Sequence, residues 1–400
     1  MSKLQELIQE LCPNGVEYKK LGDICKVLRG KRLTTRDLSE DGEFPVYHGG
    51  IEPIGYYKKN NRVANSTMVI NVGASAGTVG FCDKEFWSSD GCFCFAQNEL
   101  VNQKYLYFFL QTVEYSIKSK VRKAGIPTLD NKDVEKIMIP IPPLAVQEEI
   151  VRILDKFNFL AAELQAELQA RQQQYEYYRN KLLTFSDIAV GGGTQSVVWK
   201  TMSEIGYFYG GLTGKAKSDF ENGNAKLITY MNVFNNIALK TDINDRVKIS
   251  EGENQNTIAY GDALFTGSSE TPNECGMSSV LNKETEEPLY LNSFCFGFRL
   301  YDKSIYNPDF LKHLLRSHFV REQIKRTANG VTRFNVSKKL FGKIKLPIPP
   351  IEEQDKVARI LDKFETLVND LSKGLPAEIA AVQERYEYYR NKLLTFKQVA

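Results

Sequence analysis

YEYYRNKLLTF occupies residues 175–185, and the same eleven residues return at 386–396. Upstream of each copy lies a second matched pair, IPIPPLAVQEEIVRILDKF at 139–157 and LPIPPIEEQDKVARILDKF at 346–364. The offsets are 211 and 207 residues, so the 400-residue chain is one unit written twice. The globular stretches ahead of the repeats have drifted further. YKKLGDICKVLRG (18–30) still matches WKTMSEIGYFYGG (199–211) in hydrophobic pattern, Phe93-Cys94-Phe95 matches Phe294-Cys295-Phe296, and AGIPTLDNKDVEKIMIP (124–140) matches NGVTRFNVSKKLFGKIKLP (329–347).

The repeated segments read as long helices. Proline at 142 and 143 is tolerated only in a first helical turn, and Glu148 and Glu149 follow where the helix dipole favours acid. Apolar residues then fall at Ile150, Leu154, Phe157, Ala161, Leu164, Leu168, Tyr175, Tyr178, Leu182 and Phe185. With Arg171 as the polar member, the steps alternate 4 and 3, a heptad seam. The second copy runs Val357, Leu361, Phe364, Val368, Leu371, Leu375, Ile379, Val382, Tyr386, Tyr389, Leu393 and Phe396. Two consecutive steps of four at Leu371–Leu375–Ile379 make a four-residue stutter beside Gly374 and Pro376, which predicts a break at 373–376. The two seams are expected to pair antiparallel. A helix from Gln147 to Phe185 would extend ~58 Å.

Short apolar runs at Thr67–Val72 and Ser293–Leu300 read as strands, and Val101–Ser119 and Pro308–Arg326 as helices. The fold class is therefore α+β: two mixed α/β domains joined by two long antiparallel coiled-coil helices, with a pseudo-two-fold internal repeat. The expected divisions are 1–145 with a short N-terminal helix, 146–186, 187–350 and 351–400. The Lys3–Leu11 helix, apolar at Leu4, Leu7, Ile8 and Leu11, is expected beside the end of the last helix.

At 42% apolar and 25% charged residues, disorder and collagen-like readings are excluded. Glu6 and Glu10 interrupt the first apolar stretch, so it is not a signal peptide. The longest apolar run, Tyr105–Leu110, is far short of the ~20 residues a membrane span needs, and the chain is expected to be cytoplasmic. Seven cysteines without a CxxC pair read as reduced core residues; Cys82, Cys92 and Cys94 lack a fourth zinc ligand nearby.

Catalytic constellations are sparse. His313 and His318 are spaced by five on one helical stretch, which does not align two metal ligands; they read as structural or surface residues. Gly210–Ala216 resembles a phosphate loop with glycine spacing one short and Ala216 in place of the magnesium-binding hydroxyl. Gly191-Gly192-Gly193-Thr194 reads as linker, and Asn307-Pro308-Asp309-Phe310 as a helix N-terminus rather than a methyltransferase motif. No catalytic residue and no metal site is expected.

The whole pattern resembles the specificity subunit of Type I restriction–modification systems: two variable domains, each introduced by a segment like VEYKKLGDI and closed by the IPIPP…ILDKF and YEYYRNKLLTF segments. The resemblance covers essentially the whole chain. It implies a sequence-specific DNA-binding subunit without catalytic activity, in which each domain reads one half of a bipartite, asymmetric target. The helices would set the gap and dock two methyltransferase subunits. S-adenosylmethionine, Mg and ATP would belong to those and to the restriction/motor subunits, no cofactor to this chain, and no membrane would be involved. Half-sites one helical turn apart, about 34–36 Å, suit such an arrangement.

Base and phosphate contacts call for cations and small polar side chains on loops. In the first domain the candidates are Arg29, Lys31, Arg32, Thr34 and Arg36; then His48, Tyr56, Lys58, Lys59 and Arg62; then Lys120, Arg122 and Lys123. In the second they are Lys215 and Lys217, then Ser268 and Ser269, then Arg321, Lys325, Arg326, Asn329 and Arg333. Leu154, Phe157, Leu164, Tyr175, Tyr178, Leu182, Leu361, Phe364, Tyr386, Tyr389 and Leu393 are read as seam or partner interface. Net charge by segment is +2, −1, +3 and −1, so two mildly basic domains are joined by mildly acidic helices. Two rival readings remain: an adaptor whose coiled coil joins two ligand-binding domains, and a self-contained methyltransferase.

Overall fold

The same ribbon opens both halves of the chain. Tyr18–Lys20 pairs antiparallel with Met138–Pro140, and Val198–Thr201 pairs with Lys345–Ile348. Each ribbon turns at once into a one-turn helix, Leu21–Ile24 or Met202–Ile205, whose first residue is buried. The computed structural model describes residues 3–185, 197–370 and 372–399. The expected glycine linker at 191–194 and the seam residue Leu371 lie outside them. Two compact units result: residues 1–165 with 378–400, and residues 166–377.

In the first unit an antiparallel sheet orders its strands Val27–Arg29, Cys92–Phe95, Ser66–Ile70, Val79–Cys82. Side chains alternate across a strand. Val69, Phe93 and Phe95 therefore enter the core under the helix Gln103–Thr112, while Met68, Ile70, Cys92 and Cys94 form a second core on the opposite face. In the second unit Gly206–Gly210, Cys295–Leu300, Ala263–Thr266 and Ser278–Val280 repeat this order. Here the hydrogen-bond register corrects the match between Phe93-Cys94-Phe95 and Phe294-Cys295-Phe296. Arg29 pairs with Phe93 and Gly210 pairs with Phe296, so Phe93-Cys94-Phe95 corresponds to Phe296-Gly297-Phe298. The second copy contains two overlapping Phe-x-Phe patterns, and only pairing with the neighbouring strand distinguishes them. Phe294, outside the strand, is 60% exposed whereas Phe93 is fully buried.

Each long helix expected after the sheet is in fact two. Gln103–Thr112 and Glu114–Ser119 are separated by Val113, at φ −108° and ψ 10°. Pro308–Leu315 and His318–Lys325 are separated at Arg316–Ser317, where the Ser317 hydroxyl accepts the Val320 N–H and restarts the helix. Hydrophobic periodicity continued through both breaks and hid them. Asn307 caps Pro308–Leu315 through the Asp309 N–H, the role expected of it. All seven cysteines are buried and free.

A buried amide joins this helix to the repeated segment, twice. Gln147 Oε1 accepts the Asn102 N–H at 2.9 Å, and its Nε2 donates to the carbonyls of Leu100 and Pro142, both at 2.8 Å. Gln354 does the same with Asn307, Ile305 and Pro349, at 2.9, 2.9 and 2.8 Å. Neither glutamine has any exposed surface.

The helix Leu144–Leu182 is continuous; its second counterpart is divided into Ile351–Asn369 and Leu375–Leu393. The break is the one expected from the stutter. Gly374 sits against the end of Ile351–Asn369 so closely that a Cβ there would meet the carbonyls of Thr366 and Leu367 at 2.4 and 2.7 Å. Asp370 accepts the N–H and hydroxyl of Ser372, and Pro376 falls in the next helix's first turn. Helix pairing is present within both units. In the first, Phe157 stacks on Tyr389 at 5.5 Å and 26°; in the second, Phe364 stacks on Tyr178 at 5.5 Å and 23°. The N-terminal helix Lys3–Leu11 packs Leu4, Leu7 and Ile8 in one core with Leu393 and Leu394, as expected. Val16 exchanges hydrogen bonds with Lys397 and Val399 beside it.

Replacing Gln147 or Gln354 by leucine strands one buried N–H and two carbonyls; each change should lower stability by about 2–4 kcal/mol. Urea midpoints measure this, and a loss below about 0.5 kcal/mol would show that the amides do not hold these junctions.

Candidate nucleic-acid interface

In the first unit the basic segments converge on one short loop, Ser88–Gly91. The Ser88 carbonyl accepts the Lys31 N–H at 3.0 Å and the Asn61 amide at 2.9 Å, and the Ser88 N–H donates to Asn61 Oδ1 at 2.7 Å. Ser89 accepts the Leu33 N–H on its hydroxyl and donates its own N–H to Tyr47. The Asp90 carboxylate lies 3.3 Å from His48 Nδ1. Gly30 makes this approach possible: a Cβ there would meet the Ser89 and Ser88 carbonyls at 1.9 and 2.4 Å. The second unit repeats the device with Gly211, whose Cβ would meet the Asn292 carbonyl at 2.2 Å. A further turn carries the third basic segment. Arg122 and Thr128 exchange backbone hydrogen bonds, and Gly73 N–H donates to Pro127 beside Gly49.

Around this loop Arg29, Lys31, Arg32, Arg36, Lys58, Lys59, Lys120, Arg122 and Lys123 are exposed, and none forms a side-chain ion pair among the described residues. Arg29 lies over the Phe93 ring at 5.8 Å. Tyr56 is exposed, whereas Tyr57 packs edge-on against Trp87. Two candidates serve the fold. Thr34 closes the Thr35–Asp37 turn by donating its N–H and hydroxyl to the Asp37 carboxylate, and Arg62 brackets the segment through the Asn61 and Arg29 carbonyls, both at 2.7 Å.

In the second unit Ser268, Ser269 and Arg333 come together in a groove of about 620 Å³ with Tyr230, Phe234, Phe294 and Glu274. Arg333 donates to the Ser268 hydroxyl at 3.1 Å and lies over Phe294, while Ser269 donates to Glu274. Tyr230 stacks on Phe234 at 5.8 Å and donates to the Ser268 carbonyl. Lys217, Lys325, Arg326 and Asn329 are exposed.

Two other cations of this unit are committed inside the fold rather than presented. Lys215 Nζ contacts Glu253 and the Lys248 carbonyl, both at 2.6 Å, with its side chain 8% exposed. The ion pair holds Glu253 down at about 2, led by the Lys215 hydrogen bond. Arg321 donates to the carbonyls of Gly276, Asn273 and Cys275 at 2.6–2.8 Å, and burial pushes it down to about 10. Neighbouring Arg316, pushed to about 9 by burial, ties Ser278, Val233 and Phe234 in the same way. A lysine or arginine in a basic run looks the same in sequence whether it meets solvent or a carbonyl.

The seam residues line the buried faces of their helices. Leu154, Tyr175 and Leu361 are buried, Phe157, Leu164, Tyr178, Leu182, Phe364, Tyr386 and Leu393 half-buried, and Tyr389 is the exposed member. His313 is fully buried and structural, His318 exposed. His313 Nε2 meets Asp362 at 2.7 Å and Nδ1 meets the Tyr175 hydroxyl at 3.2 Å. Burial lowers its pKa; Asp362 is also lowered, burial being outweighed by hydrogen bonds from His313 and Lys312. The same position in the first unit is met by Tyr386, which donates to Gln111. Sequence reading missed Ser88–Asp90 and the Tyr230–Phe234–Phe294 groove. Neither carries a charge run, and only the paired Gly30 and Gly211 hinted at close backbone approach. Among the described residues no group of His, Cys, Asp and Glu could hold a metal ion, and no helix is long and apolar enough to cross a membrane.

A family model described as the type I restriction modification DNA specificity domain matches residues 13–174 and again 195–381. The chain is 34% identical to a type I restriction enzyme specificity subunit of Escherichia coli, over 99% of this chain and 97% of that one. A putative type I restriction enzyme specificity subunit of Haemophilus influenzae is 28% identical, over 95% and 96%. The solved S subunit from M. genitalium superposes with a TM-score of 0.58 at 17% identity, covering 95% of this chain and 96% of that chain. An HsdS subunit from Thermoanaerobacter tengcongensis gives 0.52 at 15%, covering 97% and 99%. At these identities the structural likeness concerns the fold.

If the exposed cations meet phosphates, Lys31→Ala with Arg32→Ala should weaken duplex binding and flatten the log K against log salt slope by about 1.8. Arg326→Ala with Arg333→Ala should weaken binding as well, whereas Lys215→Ala should leave the slope unchanged. Titrations at 50–200 mM salt distinguish these; an unaltered slope in the Lys31/Arg32 variant removes that segment from the interface.

Proposed function

Because the chain belongs to the family of type I restriction–modification specificity subunits, we propose that it reads a split, asymmetric DNA sequence, each unit taking one half-site, while its two repeated helical segments dock two copies of a methyltransferase subunit. One observation carries the second part. Packing accounts for identity at Tyr175 and Tyr386, Tyr178 and Tyr389, or Leu183 and Leu394, which enter cores or stack on Phe364 and Phe157. It does not account for Glu176 and Glu387, Tyr177 and Tyr388, Lys181 and Lys392, or Thr184 and Thr395, all exposed in both copies. Exposed positions tolerate substitution within about 0.5 kcal/mol, so folding alone would let them drift apart. Their identity fits a surface that meets the same partner twice.

Each copy presents the same exposed feature. Tyr177, 59% exposed, lies edge-on to Tyr178 with Lys181 5.7 Å from its ring; Tyr388, 58% exposed, lies so against Tyr389 with Lys392 at 5.5 Å. The recognition surfaces differ in the opposite sense. The first is rich in exposed cations and the second mixes Arg333 with Glu270 and Glu274, as two domains reading unlike half-sites would. On this reading the chain is the non-catalytic subunit. S-adenosylmethionine belongs to the methyltransferase, and ATP and Mg to a restriction/motor subunit.

Native mass spectrometry of the chain co-expressed with its modification subunit should show two copies bound. Tyr177→Ala with Lys181→Glu, or Tyr388→Ala with Lys392→Glu, should each leave one, and the combined variant none; two copies retained throughout would overturn the docking assignment. An adaptor that never meets DNA is the remaining alternative. Methylome sequencing of the host with and without this chain decides against it if a bipartite modified motif appears only with the chain, and in its favour if no motif changes.

A further inference from the structure

Both units project a hairpin whose tip is apolar. In the first, Arg122 and Thr128 pair as an isolated bridge that also joins Val72; in the second, Asn329 pairs with Asn335, which in turn joins Ser268. Five residues separate the paired positions in each, 123–127 and 330–334. Each loop contains a glycine in the left-handed region, Gly125 at φ +79° and Gly330 at φ +143°, followed by an aliphatic residue. Ile126 is 71% exposed and Val331 91%, the latter higher than any other exposed large hydrophobic of the described chain.

Single exposed aliphatic residues are common and need no explanation. Two features set these apart. The loops are held, not frayed: the Thr128 hydroxyl donates to the Ile126 carbonyl at 2.9 Å, Gly73 N–H donates to Pro127 at 2.9 Å, and Arg333 is anchored on Ser268. A Cβ on Gly330 would meet the Arg333 carbonyl at 2.0 Å, so this tight turn depends on glycine. The flanks are also basic and, among the described residues, without ion pairs: Lys120, Arg122 and Lys123 in one unit, Lys325 and Arg326 in the other. An aliphatic side chain fixed between cations suits a surface that is anionic at its edge and apolar within, which is the cross-section of a DNA groove: phosphates outside, base edges and thymine methyls inside.

We infer that the Gly125-Ile126 and Gly330-Val331 tips are groove-insertion elements, one for each half-site, whose aliphatic side chains are buried against bases when double-stranded DNA binds. This rests on the DNA-reading function proposed above. The flanking cations then position each tip on the backbone, and the glycines set the sharp turn that carries the side chain past the phosphates. Aliphatic wedges of this kind contribute through desolvation and shape, not charge.

The test uses the full chain assembled with its modification subunits and a fluorescent duplex bearing the methylome-derived motif. Ile126→Ser and Val331→Ser should each weaken binding about tenfold, with the salt slope unchanged because no phosphate contact is lost. Urea midpoints should be unaltered, given the exposure of both side chains. Lys123→Ala and Arg326→Ala, in contrast, should lower the slope by about 0.9 each. If the lysine and arginine variants behave so while both serine variants bind within twofold of the parent, the insertion role is overturned and DNA reading stands. If all four leave binding untouched, these hairpins are off the DNA altogether and the inference falls with that part of the recognition surface.

Discussion

The stacking of a phenylalanine from one repeat on a tyrosine from the other is the contact on which the architecture turns. Phe157 meets Tyr389 and Phe364 meets Tyr178, so each compact unit holds the ILDKF segment of its own copy and the YEYYRNKLLTF segment of the other. A ring pair of this kind adds about 0.5–1.5 kcal/mol to its burial. Its larger consequence is topological: neither unit is complete from contiguous sequence. The first needs residues 378–400 to cover Phe108, Leu154 and the N-terminal helix, and the second needs 166–185 to cover Phe310 and Leu361.

This exchange constrains what can vary. The surfaces that meet across the helices must suit both copies, and the buried glutamines Gln147 and Gln354 fix the same junction in each with the same three hydrogen bonds. The sheets keep their order while the loops beyond them diverge. Where Tyr175 meets His313, itself bonded to Asp362, Tyr386 meets Gln111. The loops are thus the parts free to change, and the helical contacts and glutamine junctions the parts held alike.

Much of the fold was legible because repetition is visible without knowing any contact. The central strands, the heptad faces and the break at Gly374 follow from local patterns, whereas the ribbons join residues far apart in the chain. The helix breaks at Val113 and Ser317 were not legible, since apolar periodicity runs through them. The candidate surface was less readable still. Lys31 and Lys215 stand in similar basic turns, yet one faces solvent and the other is locked to Glu253. Arg321 and Arg326 are five residues apart on the same helical turn region, and only Arg321 is spent on carbonyls of a distant loop.

By itself the sequence determined that this chain is a duplicated α+β protein with two seam-bearing helices and two dissimilar domains, because period and repetition are one-dimensional properties. Only the tertiary structure decided which copy each helix completes, which Phe-x-Phe enters the second sheet, and which cations remain available. Those outcomes depend on hydrogen-bond register and on the approach of residues from 38 positions apart, Lys215 and Glu253, to more than two hundred, Phe157 and Tyr389, separations that no local pattern encodes.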